Sequence, residues 1–196
     1  MAYVDQTSGP DLALLVTRGL LEAGFERRHG DEYADSLGRT IHCSCGPETR
    51  WQGSWAAWAV FPIDYGAYEA YGAEVFVCLF RALCRSTTPV LARSFHPTGL
   101  DMMGENEIVG QVDYVDWIQH YSPRIVAAIG AERIRSAGFY HLEEFSDGAV
   151  LALAKSDYTG SYSNRKAIVE GLDLRPRRMM GRDPQTGEPM EIAWCR

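Results

Sequence analysis

No stretch of this 196-residue chain approaches the roughly 20 consecutive apolar residues that cross a bilayer. A secretory start is missing too: residues 1–25 carry Asp5 and Asp11 early, with no basic opening, apolar run or cleavage site. Cysteines are sparse: the five present (Cys43, Cys45, Cys78, Cys84, Cys195) are odd in number and spread unevenly, unlike a disulfide framework. These absences predict a soluble protein of a reducing cytoplasm, its thiols mostly free. There is no G-x-S-x-G turn, no phosphate-binding loop and no G-x-G-x-x-G, so the commonest signatures of hydrolases and nucleotide enzymes are absent. Repeats, low-complexity runs and a convincing linker are also missing, which predicts one domain over residues 1–196.

What is present is ordinary in amount and informative in placement. The chain is 46% hydrophobic and 23% charged, as expected of a folded domain. The net charge is −7. Residues 161–196 are net basic, so the excess of acid lies earlier in the chain. This balance argues against direct nucleic-acid binding, which rests on cationic contacts to phosphate. It suits a basic protein partner, although solubility alone would also account for it.

Residues 10–23 place Leu12, Leu15, Val16, Gly19 and Leu20 on one helical face, with Gly24 at the stop position. Residues 25–33 and 39–45 read as a strand pair joined by a polar loop ending at Gly38. Residues 54–62 read as a strand, 67–85 as a buried helix and 89–96 as a further strand. Trp117, Tyr121, Ile125 and Ile129 recur at helical spacing, but Ser122-Pro123 is an N-cap followed by a first-turn proline. The segment is therefore expected as two helices, 113–121 and 123–129, with a short second turn after Gly130. Asp147-Gly148 between apolar runs predicts a β-hairpin of 139–145 with 149–154, both turn positions taking positive φ. Residues 163–172 suit a last helix, and the Arg-rich stretch from 175 to 196 reads as an extended tail. The mixed order of elements makes the class α+β, with a mixed or antiparallel sheet, a hairpin in the C-terminal half and several packed helices.

Few residues invite chemistry. In His42-Cys43-Ser44-Cys45 the two thiols would share one face of a strand and His42 the other, which does not make a zinc site. Cys78 and Cys84 sit in the apolar helix as small hydrophobes. His96 and His120 lie near aromatic residues, where a histidine is usually structural. No catalytic, cofactor-binding or metal-binding residue is assigned. Glu105, Glu107, Asp113 and Asp116 form an acidic cluster, and Asp64-Tyr65 with Tyr68-Glu69 combines acids with tyrosines, which are enriched at interfaces. A solvated loop accounts for the acids most simply, partner binding comes second and acid–base catalysis third.

The pattern of Trp117–Tyr121, Ser122-Pro123, Ile129-Gly130, Glu132-Arg133, Ile134, Ala137 and the Asp147-Gly148 hairpin resembles bacterial immunity proteins of polymorphic-toxin systems, specifically immunity protein family 52. The resemblance covers about 40 residues. It implies a single α+β domain that binds and neutralises a cognate toxin by stoichiometric complex formation, without enzymatic activity or cofactor. It further implies that the partner is a nuclease effector with a restriction-endonuclease-like domain, delivered by type VI secretion. Toxin contacts vary within such families, so no site residue is carried over. Asp64, Tyr65, Tyr68, Glu69, Glu105, Glu107, Asp113 and Asp116 are the candidates read from the residues themselves. The competing expectations are a metal-assisted hydrolase using His42, Cys45 or the acidic loop, and an adaptor domain of a larger complex.

Overall fold

The computed structural model describes residues 2–5, 9–47, 54–60, 67–89, 91–93, 115, 117–156, 165–173, 178–182 and 189–193. The fold is α+β. Its frame is a nine-stranded sheet formed by β1 (Ala2–Asp5), β2 (Phe25–His29), β3 (Glu32–Asp35), β4 (Thr40–Pro47), β5 (Ser54–Val60), β6 (Leu91–Arg93), β7 (Ile118–Tyr121), β8 (His141–Glu144) and β9 (Val150–Leu153). Their order is β2-β3-β4-β5-β1-β6-β7-β9-β8, and every described pairing is antiparallel. The first strand thus joins two halves, lying between β5 and β6. A separate two-stranded sheet pairs β10 (Arg178–Arg182) with β11 (Pro189–Ala193).

One face of the sheet carries α1 (Gly9–Glu22) and α2 (Ala67–Thr87). The apolar stripe of α1 does what its spacing dictates: Leu12, Val16 and Leu20 pack with Phe25, Tyr33, Ile41, Cys43 and Leu79. Gly19 lets the two helices approach, since a Cβ there would stand 2.4 Å from Ser86 Oγ and 3.1 Å from the Ala82 carbonyl. Further along, α2 covers Trp117, Ile118, Leu151 and Leu153 through Ala73, Phe76, Val77 and Phe80. The opposite face of the C-terminal half carries α3 (Pro123–Ile129), α4 (Ala131–Ser136) and α5 (Arg165–Gly171). These pack Ile125, Val126, Ile134, Ile168 and Leu172 against Tyr121, Val150 and Ala152. As the sequence predicted, α3 starts at the Ser122 cap, whose side chain accepts from the Ile125 amide at 3.4 Å.

Several expectations are corrected. The helix expected over 113–121 is a strand where it is described: Ile118–Tyr121 is β7, and all four residues are buried. Strands on both sides and helices on both faces supply its partners, and this burial outweighs the helical spacing of Trp117 and Tyr121. The single strand expected over 25–33 is a tight hairpin, because Gly30 at φ 55° turns the chain between β2 and β3. Arg27 ties that turn, its Nε donating to the Gly30 carbonyl at 2.7 Å. The hairpin of β8 and β9 forms as expected, but only Gly148 has positive φ. Its loop has three residues between Phe145 and Ala149, with Asp147 Oδ1 accepting from the Ala149 amide at 2.9 Å. The helix expected as buried all round is covered on one side, with Glu74, Cys78 and Arg85 exposed, and Gly72 at φ 70°, ψ 152° breaks it near its start. The tail expected to be extended contains the β10–β11 ladder, which Met179↔Ile192 and its neighbours hold in register.

Candidate partner-binding surface

Cys43, Cys45, Cys84 and His120 settle into structural places, while His96 and Cys195 lie outside the described residues. On β4, Ile41 and Cys43 face the core while His42 and Ser44 are exposed, as alternation along a strand requires. Burial pushes the Cys43 thiol up to about 12 and also raises Cys45 and Cys84, so none of the three is a ready thiolate. Cys78 is exposed on α2. His42 Nε2 lies 3.9 Å from Glu32 on the neighbouring strand. Among the described residues, no group of three or more His, Cys, Asp or Glu is arranged to hold a metal. None of their helices is long and apolar enough to cross a membrane.

His120 is different. It sits on β7 beneath α2, 2% exposed, with Phe145 5.7 Å away and no hydrogen-bond partner for Nδ1. Burial drives its pKa down to about 4, against a small opposing pull from Asp147. The neutral ring is held in the core as part of the packing. Beside it, Arg85 lies over Phe145 at 5.4 Å, and Glu143 accepts from Arg81 at 2.6 Å and from Arg85 at 2.9 Å. This cluster clamps α2 to β8.

Of the candidate contact residues, Asp64, Tyr65, Glu105, Glu107, Asp113 and Asp116 lie outside the described residues. Tyr68 and Glu69 belong to the first turn of α2, before the break at Gly72. The strand ends nevertheless fix where these stretches are tethered. Ala2 pairs with both Ala57 and Ala92, and Arg93 pairs with Gln119. The C-terminal ends of β5 and β6 and the N-terminal end of β7 therefore lie at the same end of neighbouring strands. From β5 to β7 is three strand spacings, about 15 Å. The connection from Val60 to Ala67 and the one from Arg93 to Ile118 both leave from this end. The second holds Asp101, Glu105, Glu107, Asp113 and Asp116 and no Lys or Arg in residues 94–117. Val115, fully buried among Tyr121 and Ile125, pins its far side to the core. The two candidate stretches, far apart in sequence, are thus rooted close together.

Apolar residues left in solvent were missed by the sequence reading. Leu14, Leu21, Leu37 and Tyr140 are the exposed large hydrophobic side chains among the described residues. The signal existed for the first two, because they stand seven residues apart, off the buried stripe of α1. Leu37 gives no such signal: it lies in the turn after β3, where Asp35 Oδ1 accepts from the Leu37 and Arg39 amides at 2.9 Å each. Burial alone would raise the Asp35 pKa, but these bonds and the Arg39 guanidinium outweigh it and hold it below its usual value.

No family model matches the chain, and no curated protein matches its sequence. The fold is similar to that of the Pseudomonas aeruginosa T6SS protein PA0821: the likeness covers 88% of this chain and 71% of that one, with a TM-score of 0.52 and 14% sequence identity. At that identity the likeness is one of fold.

Proposed function

We propose that this chain is an immunity protein of a type VI secretion system, which binds a cognate toxin in the cytoplasm and neutralises it by stoichiometric complex formation. The observation that carries this reading is the fold shared with a Pseudomonas aeruginosa T6SS protein over most of both chains. The resemblance of residues 117–154 to immunity protein family 52 points the same way. The toxin on this reading is a basic nuclease domain. A nuclease cleft is cationic because it must hold phosphates, so an acid-rich, Lys- and Arg-free connection offers it the charge that DNA would. Glu105, Glu107, Asp113 and Asp116 provide that charge from one stretch and Asp64 and Glu69 from the other, where Tyr65 and Tyr68 add aromatic contact area. Binding requires no catalytic group and no cofactor.

Coexpression with the product of the adjacent open reading frame tests the function. The chain should restore growth to cells producing that protein and should co-elute with it at a fixed ratio. Failure of both would remove the immunity reading. Reversing charge together at Glu105, Glu107 and Asp116 should weaken the complex and flatten its dependence on salt. Unchanged affinity and salt slope would move the contact away from this connection.

A further inference from the structure

Among the described residues β8 ends the nine-stranded sheet and pairs with β9 alone, so it can leave without breaking any other described pairing. None of its four residues is buried, whereas all four of β9 are. What fastens it is largely polar and comes from both faces of the sheet. On the α2 side Glu143 accepts from Arg81 at 2.6 Å and from Arg85 at 2.9 Å. On the α4 side Glu144 accepts from Arg135 at 2.7 and 3.1 Å. Leu142 and Phe145 add partly buried apolar contact. Gly138 and Gly148, both at φ 87°, bracket the strand, and a Cβ at either would meet no atom within 4 Å, so the chain can bend at both ends. A strand held by partly exposed ion pairs and little buried apolar area belongs to the low end of local stability.

Beside this strand lies His120, 2% exposed, with no hydrogen-bond partner for Nδ1 among the described residues. The Phe145 ring packs on it at 5.7 Å, and Arg85 lies over the Phe145 ring at 5.4 Å. The described groups around it disfavour a proton. From α2 come the Arg85 cation and the Cys84 thiol, which also packs on Phe145 and which burial keeps neutral. From β6 and β9 come Ala92 and Leu151, its register partners, which carry no charge. From the β8–β9 turn comes Asp147, whose pull toward the charged form is smaller than the cost of burial. An imidazolium with an unsatisfied donor does not belong in such a space, because an unpaired charge is costly to bury. Moving Phe145 aside would open the ring to water.

We propose that β8 and its two turns form an acid-released strap, which swings off β9 when His120 takes up a proton while the rest of the sheet stays paired. This concerns the fold and does not rest on the immunity reading. The closed strap holds the His120 pKa down to about 4, and the open one returns it toward 6.5, so falling pH between those values favours opening. Hydrogen exchange followed by NMR on the full chain tests it, with protection factors corrected for the pH dependence of intrinsic exchange. The strap amides are Tyr140, which donates to the Leu153 carbonyl, and Phe145, which donates to the Ala149 carbonyl. The control is Ala154, which donates to the Trp117 carbonyl beside β7. From about pH 7.5 to 4.5 strap protection should fall by roughly 20- to 100-fold while that of Ala154 holds. His120→Leu should abolish the fall. Glu143→Gln should lower strap protection by about threefold at both pH values and leave their ratio unchanged. Equal protection of Tyr140 and Phe145 at the two pH values overturns the strap. A parallel loss at Ala154 overturns it too, because acid would then loosen the whole sheet. So does a fall that persists in His120→Leu, since another group would then be the trigger.

Discussion

β4 and β9 belong to the same sheet and live under different rules. Along β4, Ile41 and Cys43 are buried while His42 and Ser44 are exposed. Along β9, all four residues from Val150 to Leu153 are buried. The cause is coverage. Among the described residues, helices lie on both faces of the sheet at β7 and β9, through α2 on one side and α3 to α5 on the other. At β4 they lie on one face, through α1 and α2. A strand covered twice must be apolar on both sides, whereas a strand covered once alternates. The doubly covered half buries β7 and β9 on both faces, whereas the singly covered half leaves one face of β4 exposed.

The sharpest way to break this comparison is to empty the doubly covered core. Leu151→Ala should cost about 4 kcal/mol in urea unfolding, because the cavity is enclosed by α2 and by neighbouring strands. A cost below about 1 kcal/mol would mean that this half is loosely packed. Next in size is acid. His120 has its pKa lowered to about 4 by burial, so the folded state resists a proton that the unfolded chain takes up near 6.5. The stability this neutral ring contributes is fully present above pH 6.5 and is lost as pH falls toward 4, about 3 kcal/mol in all. His120→Leu should flatten the pH dependence of the urea midpoint over that window, and an unchanged slope would show that other groups carry it.

Smaller effects separate two close approaches. At Gly171 a Cβ would stand 2.9 Å from the Ala137 Cα, a backbone atom of the segment following α4. Gly171→Ala should therefore cost about 1–3 kcal/mol by overpacking. At Gly19 the nearest atom is the Ser86 hydroxyl, which can rotate away at the loss of its bond to the Leu83 carbonyl. The backbone of Ala82 and Leu83 stands at 3.1 and 3.2 Å, beyond the closest backbone approach at Gly171, and alanine gains about 1 kcal/mol of helix propensity. Gly19→Ala should cost less than Gly171→Ala in parallel thermal melts, and a reversed order would contradict the packing of α5 on α4. The smallest effect belongs to the singly covered half, where Ser44→Val on exposed β4 should change stability by less than about 0.5 kcal/mol.

Much of the fold was legible because its signals are local. The stripe of α1, the Ser122-Pro123 start of α3, the opposed faces of His42 and Cys43 and the Asp147-Gly148 turn each depend on residues within a few positions. The failures came where distant chain decides. Trp117 and Tyr121 read as helix until β6 and β9 are known to flank them. Gly30-Asp31 carries little turn signal in the sequence because the apolar alternation around it is weak, with only Phe25 of β2 buried. The candidate surface divided in the same way. Acids and tyrosines can be counted along a sequence, but the exposure of Leu37 follows from a turn that Asp35 builds with Arg39.

By itself the sequence determined the α+β class, the amphipathic α1, the structural thiols of β4 and an acid-rich connection free of Lys and Arg. These follow from composition and from periods of two and 3.6 residues, which need no partner to be read. Only the tertiary structure decided that β1 joins the two halves, that β7 is a strand covered on both faces, and that the turn holding Leu37 and the C-terminal end of β5 lie at one end of the sheet. Strand pairing is a contact between residues far apart in the chain, and it is set by which surfaces can bury one another.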